Sequence, residues 1–232
     1  FGDDTVLVEG TPDRAGVRTV TSINTGLGDD TVYVDLDATE ANGADTTDGL
    51  VVINTQGPWN DYPAASDDDT VLGTGTHPVS GLPYESTLPL VVFGGQGSDT
   101  ITGGTADDIL FGDRGRMVTI VDVAGVPTVV EQLGGGGPGD TTSGAVLFPD
   151  QIFSVDTQVG GNDIIDGLEG DNIVVGGAGS DTIAAGTGDD VIAGDNAQLD
   201  YWPDSPQLMT AQTTDLIDQP TWGDIIVPVR SM

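Results

Sequence analysis

The sequence predicts an all-β solenoid of short stacked strands. Three observations carry that expectation. A nine-residue frame recurs along the chain, with glycine in its first half, Asp or Asn at its sixth position and an aliphatic residue at its eighth. The offset between the sixth and eighth positions holds in every copy, which a glycine-rich flexible linker would not maintain. Aromatic residues are 5% of the chain against 37% hydrophobic overall, so the core has to be aliphatic. One such unit cannot bury its own apolar residue, but its stacked neighbours can, so the frame implies a repeat array.

Loose copies open the chain around Asp4-Thr5-Val6, Asp30-Thr31-Val32 and Asp69-Thr70-Val71. Two regular units follow at 94–102 and 103–111, with Asp99 and Asp108 at position six and Ile101 and Leu110 at position eight. Four continuous units fill 158–193, with Asp163, Asn172, Asp181 and Asp190 at position six and Ile165, Val174, Ile183 and Ile192 at position eight. A last weak copy is Gly223-Asp224-Ile225-Ile226. A larger repeat overlies these: residues 109–117 resemble 191–199, and each is followed by an excursion that returns at a Gly-x-Asp-Ile-Ile sequence. In the first excursion, runs of alternating polarity at 117–123 and 128–133 flank Ala124-Gly125-Val126-Pro127 and read as a β-hairpin. The chain thus divides into degenerate coils with long loops (1–93), regular repeats (94–112), an inserted loop and hairpin (113–157), regular repeats (158–195), and a second excursion with a return strand (196–232).

The run Gly94-Gly95-Gln96-Gly97-Ser98-Asp99-Thr100-Ile101-Thr102 reads as Gly-Gly-x-Gly-x-Asp-x-U-x, where U is a large aliphatic residue. It resembles the calcium-binding repeat of RTX (hemolysin-type) proteins, an established family pattern. The resemblance implies a parallel β-roll: each unit gives a six-residue turn and a three-residue strand, and two units complete a coil. The runs 20–23, 50–53, 90–93 and 109–111 would form one sheet, and 5–7, 31–34, 70–72 and 100–102 the other. The longer spacings become loops inserted into one roll. One edge would carry Asp4, Asp30, Asp69, Asp99, Asp163, Asp181 and Asp224, and the opposite edge Asp108, Asn172 and Asp190. Calcium is the implied cofactor, a hard cation taking six to eight oxygens from carboxylates and carbonyls. The implied site residues are Gly94, Gly95, Gly97 and Asp99; Gly103, Gly104 and Asp108; Gly160, Gly161 and Asp163; Asn172; Gly176, Gly177, Gly179 and Asp181; and Gly186, Gly188 and Asp190. Asp30 and Asp69 join them from the looser copies. Asp163 would share an ion with Asp181, and Asn172 with Asp190, though a neutral amide is the weaker ligand. The loops at 9–18, 35–49 and 73–89 lack the motif, so the N-terminal half is expected to bind less calcium.

Charge narrows the partners. The formal net charge is −33, from 38 acids against five bases, all arginine. That argues against nucleic acid, whose phosphates need Lys and Arg, and against adsorption to anionic lipid. It also opposes compaction unless cations offset it. No apolar run approaches the roughly 20 residues of a membrane span. Cysteine is absent, which removes thiolate sites and disulfides and leaves metal as the staple. The chain opens in mid-repeat and is expected to be a segment of something longer.

Catalysis finds little support. His77 is the sole histidine, which rules out multi-histidine zinc sites. Ser80 and Ser86 are near it in sequence, but no Gly-x-Ser-x-Gly elbow accompanies them, so it reads as a surface-loop residue whose replacement changes nothing measurable. Acid pairs such as Asp29-Asp30, Asp67-Asp68-Asp69 and Asp189-Asp190 are explained by their place in the repeat, not by glycosidase chemistry. The glycine-rich 134–139 has no phosphate-binding Lys-Ser/Thr after it and reads as a flexible turn. Arg14, Arg18, Arg114 and Arg116 read as neutralising nearby aspartates. Trp59, Tyr62, Tyr201, Trp202 and Trp222 read as loop or capping residues, with sugar stacking as the alternative.

The reading is therefore a non-enzymatic calcium-binding roll that folds and stiffens on extracellular calcium, within a large secreted bacterial surface protein or adhesin. Its partners would be calcium, neighbouring repeats of the same chain, and a polysaccharide or cell-surface ligand. The alternatives are a calcium-binding accessory module of a secreted hydrolase or polysaccharide epimerase, and a halophile β-helix whose acids hold hydration without specific calcium.

Overall fold

A computed structural model describes residues 2–11, 19–37, 49–55, 67–134, 140–201, 208–213 and 223–228, and from residue 201 onward only the backbone. Every regular element among them is a β-strand. The first sheet stacks β1 (Thr5–Val8), β3 (Thr31–Val34), β5 (Thr70–Leu72), β9 (Thr100–Thr102), β14 (Ile164–Asp166) and β16 (Thr182–Ala184), all parallel. The second stacks β2 (Val20–Asn24), β4 (Leu50–Asn54), β8 (Leu90–Gly95), β10 (Ile109–Asp113), β15 (Ile173–Val175) and β17 (Val191–Ala193), also parallel. The chain alternates between the two sheets, so this is the expected parallel roll.

Register follows from position eight. Val6, Val32, Val71, Ile101, Ile165 and Ile183 align across the first sheet. They meet Val51, Ile53, Leu90, Val92, Leu110 and Val174 of the second sheet in one aliphatic core. Each fully buried Ile or Leu there contributes about 1.5–3 kcal/mol. First-sheet strands read Thr-Val-Leu, Thr-Ile-Thr and Thr-Ile-Ala, with only the middle residue facing the core.

Second-sheet strands do not alternate. Leu50–Asn54 and Leu90–Gly95 are buried at every residue. Their other face packs on a third layer, which the sequence reading did not anticipate as a sheet. That layer is a six-stranded antiparallel sheet in the order β12 (Val126–Gly134), β11 (Gly115–Val123), β13 (Gln151–Ser154), β18 (Ala197–Tyr201), β19 (Leu208–Thr213) and β20 (Gly223–Pro228). Phe93 and Phe111, with centroids 5.3 Å apart, join Met117, Leu133, Ile152 and Leu199 in this second core. A Cβ on Gly115 or Gly134 would strike the Phe93 ring, so both glycines are set by that close packing.

The expected hairpin is β11–β12, closed at Ala124-Gly125. One expectation is corrected. Asp224, expected on the ligand edge of the roll, lies instead in β20, which pairs antiparallel with β19 in the third layer. A Gly-x-Asp-Ile-Ile string marks a turn and a strand, and does not specify which sheet the strand joins. The loop 73–89 also carries structure, a small hairpin of β6 (Thr74–Thr76) and β7 (Pro83–Glu85). Arg14, Arg18, Trp59, Tyr62, Trp202, Trp222 and residues 135–139 lie outside the described residues, as does the side chain of Tyr201.

Candidate metal-binding edges

The turns from the second sheet to the first make one edge of the roll. There the frame aspartates stack into a ladder. Asp4 N–H donates to Asp30 Oδ1 (2.7 Å), Asp30 to Asp69 (2.7 Å), Asp69 to Asp99 (2.7 Å), Asp99 to Asp163 (2.8 Å) and Asp163 to Asp181 (3.0 Å). An outer ladder runs the opposite way through Asp29 to Asp3, Asp68 to Asp29, Ser98 to Asp68, Asn162 to Ser98 and Ser180 to Asn162. Each turn therefore spends consecutive N–H groups on neighbours above and below, which fixes the coil spacing.

The inner carboxylates are half served. Asp30, Asp69, Asp99 and Asp163 are each at most 2% exposed, and each keeps a buried Oδ2 with no hydrogen-bond partner. A buried carboxylate oxygen without a donor is costly, and a proton or a cation has to meet it. Burial pushes Asp69 up to about 8, Asp163 to about 7, and Asp99 well above the usual carboxylate range, with the stacked neighbouring aspartates adding to the rise.

Glycine is required where these oxygens point. Oδ2 of Asp99 lies against Gly94, that of Asp163 against Gly112 and that of Asp181 against Gly176, so a Cβ at any of the three would collide. Gly95 and Gly97 turn the chain at φ 110° and 95°, in the left-handed region that glycine accepts cheaply. Gly160, Gly161, Gly177 and Gly179 occupy the same edge. Gly161 and Gly179 lie so close to the neighbouring coil that a Cβ would meet the Gly97 and Gly161 carbonyls.

Asp113 belongs with this edge and was not singled out from the sequence. It follows β10 where the chain leaves the roll, and is 3% exposed. Its carboxylate accepts from Gly161 N–H (3.1 Å) and, closely, from Ala178 N–H. Burial, with Asp163 and Asp181 nearby, holds it up to about 8. Only the matching Gly112-Asp113 and Gly194-Asp195 pairs of the larger repeat could have flagged it. Next to it, buried Arg114 pairs with Asp156 at 3.1 Å.

The opposite edge is built differently. Asp108 Oδ1 accepts from Leu90 N–H (2.8 Å) and Oδ2 from Gly104 N–H (2.8 Å), so both oxygens are served, with Gly103 packed against Oδ2. Burial still lifts Asp108 to about 7. Asn172 accepts from Asp108 N–H (2.9 Å) and donates its own N–H to Asp190 (2.9 Å). Gly186 and Gly188 stand in the last coil against Leu168 and Gly170. In the N-terminal coils this edge is held by side chains and backbone. Ser86 Oγ accepts from Leu36 N–H, Thr87 N–H donates to the Leu36 carbonyl, and His77 meets Glu9 at 2.9 Å.

His77 is buried, at 8% exposure, and not a surface-loop residue. Its Nδ1 accepts from Val79 and Ser80 N–H (3.2 and 3.0 Å), so the ring proton sits on Nε2 and points to Glu9. Ser80 and Ser86 hydroxyls accept from Leu82 and Leu36 N–H. With both ring nitrogens engaged, the imidazole is a turn lock and, among the described residues, meets no serine hydroxyl.

The fit to a cation can be judged on these donors. Among the described residues no three carboxylate or imidazole side chains converge as a ready ligand cage. A hard cation here would need the glycine carbonyls besides the aspartates, which suits calcium. Residues 91–116 and 159–196 match the RTX calcium-binding nonapeptide repeat, in four copies. No curated protein and no solved structure matches the chain. No helix among the described residues is long and apolar enough to cross a membrane. RTX nonapeptide repeats bind Ca²⁺ and are a structural, not a catalytic, module. Over these turns, with the roll they build, the chain is an RTX-repeat protein.

Proposed function

We propose that this chain is a secreted, non-enzymatic roll segment of a large surface protein or adhesin, which folds and stiffens when extracellular calcium binds its turns. One observation supports it above the others: the row of buried Oδ2 atoms on Asp30, Asp69, Asp99 and Asp163 that no donor meets. Binding free energy becomes folding free energy when the unfolded chain lacks the site. Extracellular calcium modules work at about 10⁻⁴–10⁻³ M, so the roll would be marginal and largely unfolded in a low-calcium cytosol and would fold fully after export. RTX-repeat proteins are typically secreted by the type I route, which fits that sequence of events. In this reading residues 94–112 and 158–195 carry the regular sites, 1–93 degenerate coils, and 113–157 and 196–232 excursions from the roll. Asp163 and Asp181 share an ion, and Asp30 and Asp69 extend the row into the N-terminal half.

Calcium titration of the chelator-treated chain, followed by circular dichroism, tests this. A rise of β signal with bound calcium is expected. Full β signal in chelator with no calcium uptake would refute it. Asp181→Ala should lower the stoichiometry and loosen residues 160–190, and an unchanged count and melting point would remove the Asp163–Asp181 pairing.

A further inference from the structure

The two edges place the same frame atom in the same place with opposite hydrogen-bonding character. On the first edge the second atom of the position-six side chain is an oxygen. Asp99 Oδ2 lies against Gly94 and finds no donor. On the second edge the corresponding atom of Asn172 is a nitrogen, set against Gly167 in the same way. The assignment of that amide is fixed by its other atom, since Oδ1 accepts from Asp108 N–H at 2.9 Å.

Asn172 Nδ2 is surrounded by carbonyls. Gly167, Glu169, Gly170 and Ala185 oxygens lie 3.3, 3.2, 3.2 and 3.1 Å from it. An amide has two hydrogens, fewer than the oxygens gathered there. Four carbonyls converging on one point, from two successive coils, is the arrangement a hard cation uses. The matching frame positions around Asp99 Oδ2 are Gly94, Gln96, Gly97 and, in the next coil, Gly112. There, carbonyl oxygens would face a carboxylate oxygen, and nothing positive would lie between them without an ion.

We infer that the Asn172 amide stands in for a bound cation on the second edge, and that a carboxylate at 172 would turn its carbonyl cage into a calcium site. The amide hydrogens supply the partial positive charge that a metal would otherwise bring to these carbonyls, so the coils at 167–190 close on this edge without calcium. Asn172 is then the residue that sets how many ions the roll takes and which edge depends on them. This rests on the reading of the first edge as calcium-binding.

The test is an exchange in both directions on the full chain, with calcium as the probe. Asn172→Asp, folded in calcium and counted by calorimetric titration after chelation, should bind one ion more than the parent chain. In chelator it should melt lower than the parent. Asp163→Asn, the mirror change, should lose calcium and melt higher than the parent in chelator, because a donor replaces the orphaned oxygen. An equal count in Asn172→Asp overturns the inference, as does failure of that variant to fold at about 10⁻³ M calcium. So does an Asp163→Asn chain that melts lower in chelator. If the parent binds no calcium but Asn172→Asp binds one, the inference stands and the calcium reading of the first edge falls. If neither binds, both fall.

Discussion

The two edges of one roll solve the same problem with different chemistry. Both must stack coils about 4.8 Å apart and satisfy the backbone of glycine-rich turns. The first edge uses carboxylates, each giving one oxygen to a neighbouring N–H and leaving the other buried without a donor. The second uses groups already complete within the protein: Asp108 with both oxygens served, the Asn172 amide among carbonyls, and a lock of His77 on Glu9. If the first edge binds calcium as proposed, the difference teaches that an aspartate at position six is not by itself an ion site. What matters is whether its second oxygen has a donor.

Calcium removal should separate the edges most strongly. A site at 100-fold excess over its Kd contributes about 2.7 kcal/mol, and the proposed sites repeat along the first edge. In chelator, amide exchange should accelerate at Asp69, Asp99 and Asp163 before it does at Asp108 and Asn172. Equal loss of protection on both edges would erase the distinction.

Single substitutions come next. With calcium present, Asp99→Ala removes the acceptor of Asp69 N–H and the central carboxylate of the row, at a cost of about 2–3 kcal/mol. Asp190→Ala removes one bond to Asn172 N–H at a half-exposed position, worth about 1 kcal/mol or less. In chelator the Asp99 variant should lose much of its deficit, since the orphaned oxygen is gone. Denaturant melts with and without calcium decide it, and a deficit independent of calcium would show that Asp99 acts through packing alone.

pH gives a smaller, signed effect on the metal-free chain. Burial raises Asp69 and Asp113 from 3.8 to about 8, and Asp163 and Asp108 to about 7. The folded state then holds more protons than the unfolded one across that interval, so stability falls as pH rises. Without calcium the protein should melt highest near the lower end of the interval and lose stability from about pH 4 to about 8. With calcium, which competes with protons for the same oxygens, the trend should reverse. A metal-free melting point that climbs toward pH 8 would mean these carboxylates are not desolvated.

The roll was legible because its period is. Thr31, Thr70 and Thr100 pair in register since each precedes a core aliphatic by one residue and follows a frame Asp. The frame also brought Asp30, Asp69, Asp99, Asp163 and Asp181 onto one edge. The third layer was not read, although a sign of it was present. Leu50–Asn54 and Leu90–Gly95 are apolar on both faces, which is how a sheet covered on both sides reads, whereas Thr70–Leu72 alternates. The partner of that outer face draws Met117, Leu133, Ile152 and Leu199 from β11, β12, β13 and β18, and the pairing of β13 with β18 joins strands far apart in sequence. Asp113 escaped because it sits just past the frame, and its two N–H donors come from coils after the insertion. Asn172 looked like a weakened ligand, because a sequence shows the amide but not the carbonyls around it.

The smallest effect concerns the N-terminal stretch of the second edge. His77 joins the loop after β5 to the loop after β1 through Glu9, and its Nδ1 closes the turn at Val79 and Ser80. Glu9 is 65% exposed, so the hydrogen bond from His77 Nε2 itself adds little. His77→Ala leaves two turn N–H groups without their acceptor and opens a nearly buried position, for about 1 kcal/mol. The same loss should appear with calcium and in chelator, because no ion is involved. Its measured counterpart is faster amide exchange at Val79 and Ser80 with an unchanged calcium count. A loss that disappeared on adding calcium would place this turn under the control of the ion-dependent edge and break the comparison at its N-terminal end.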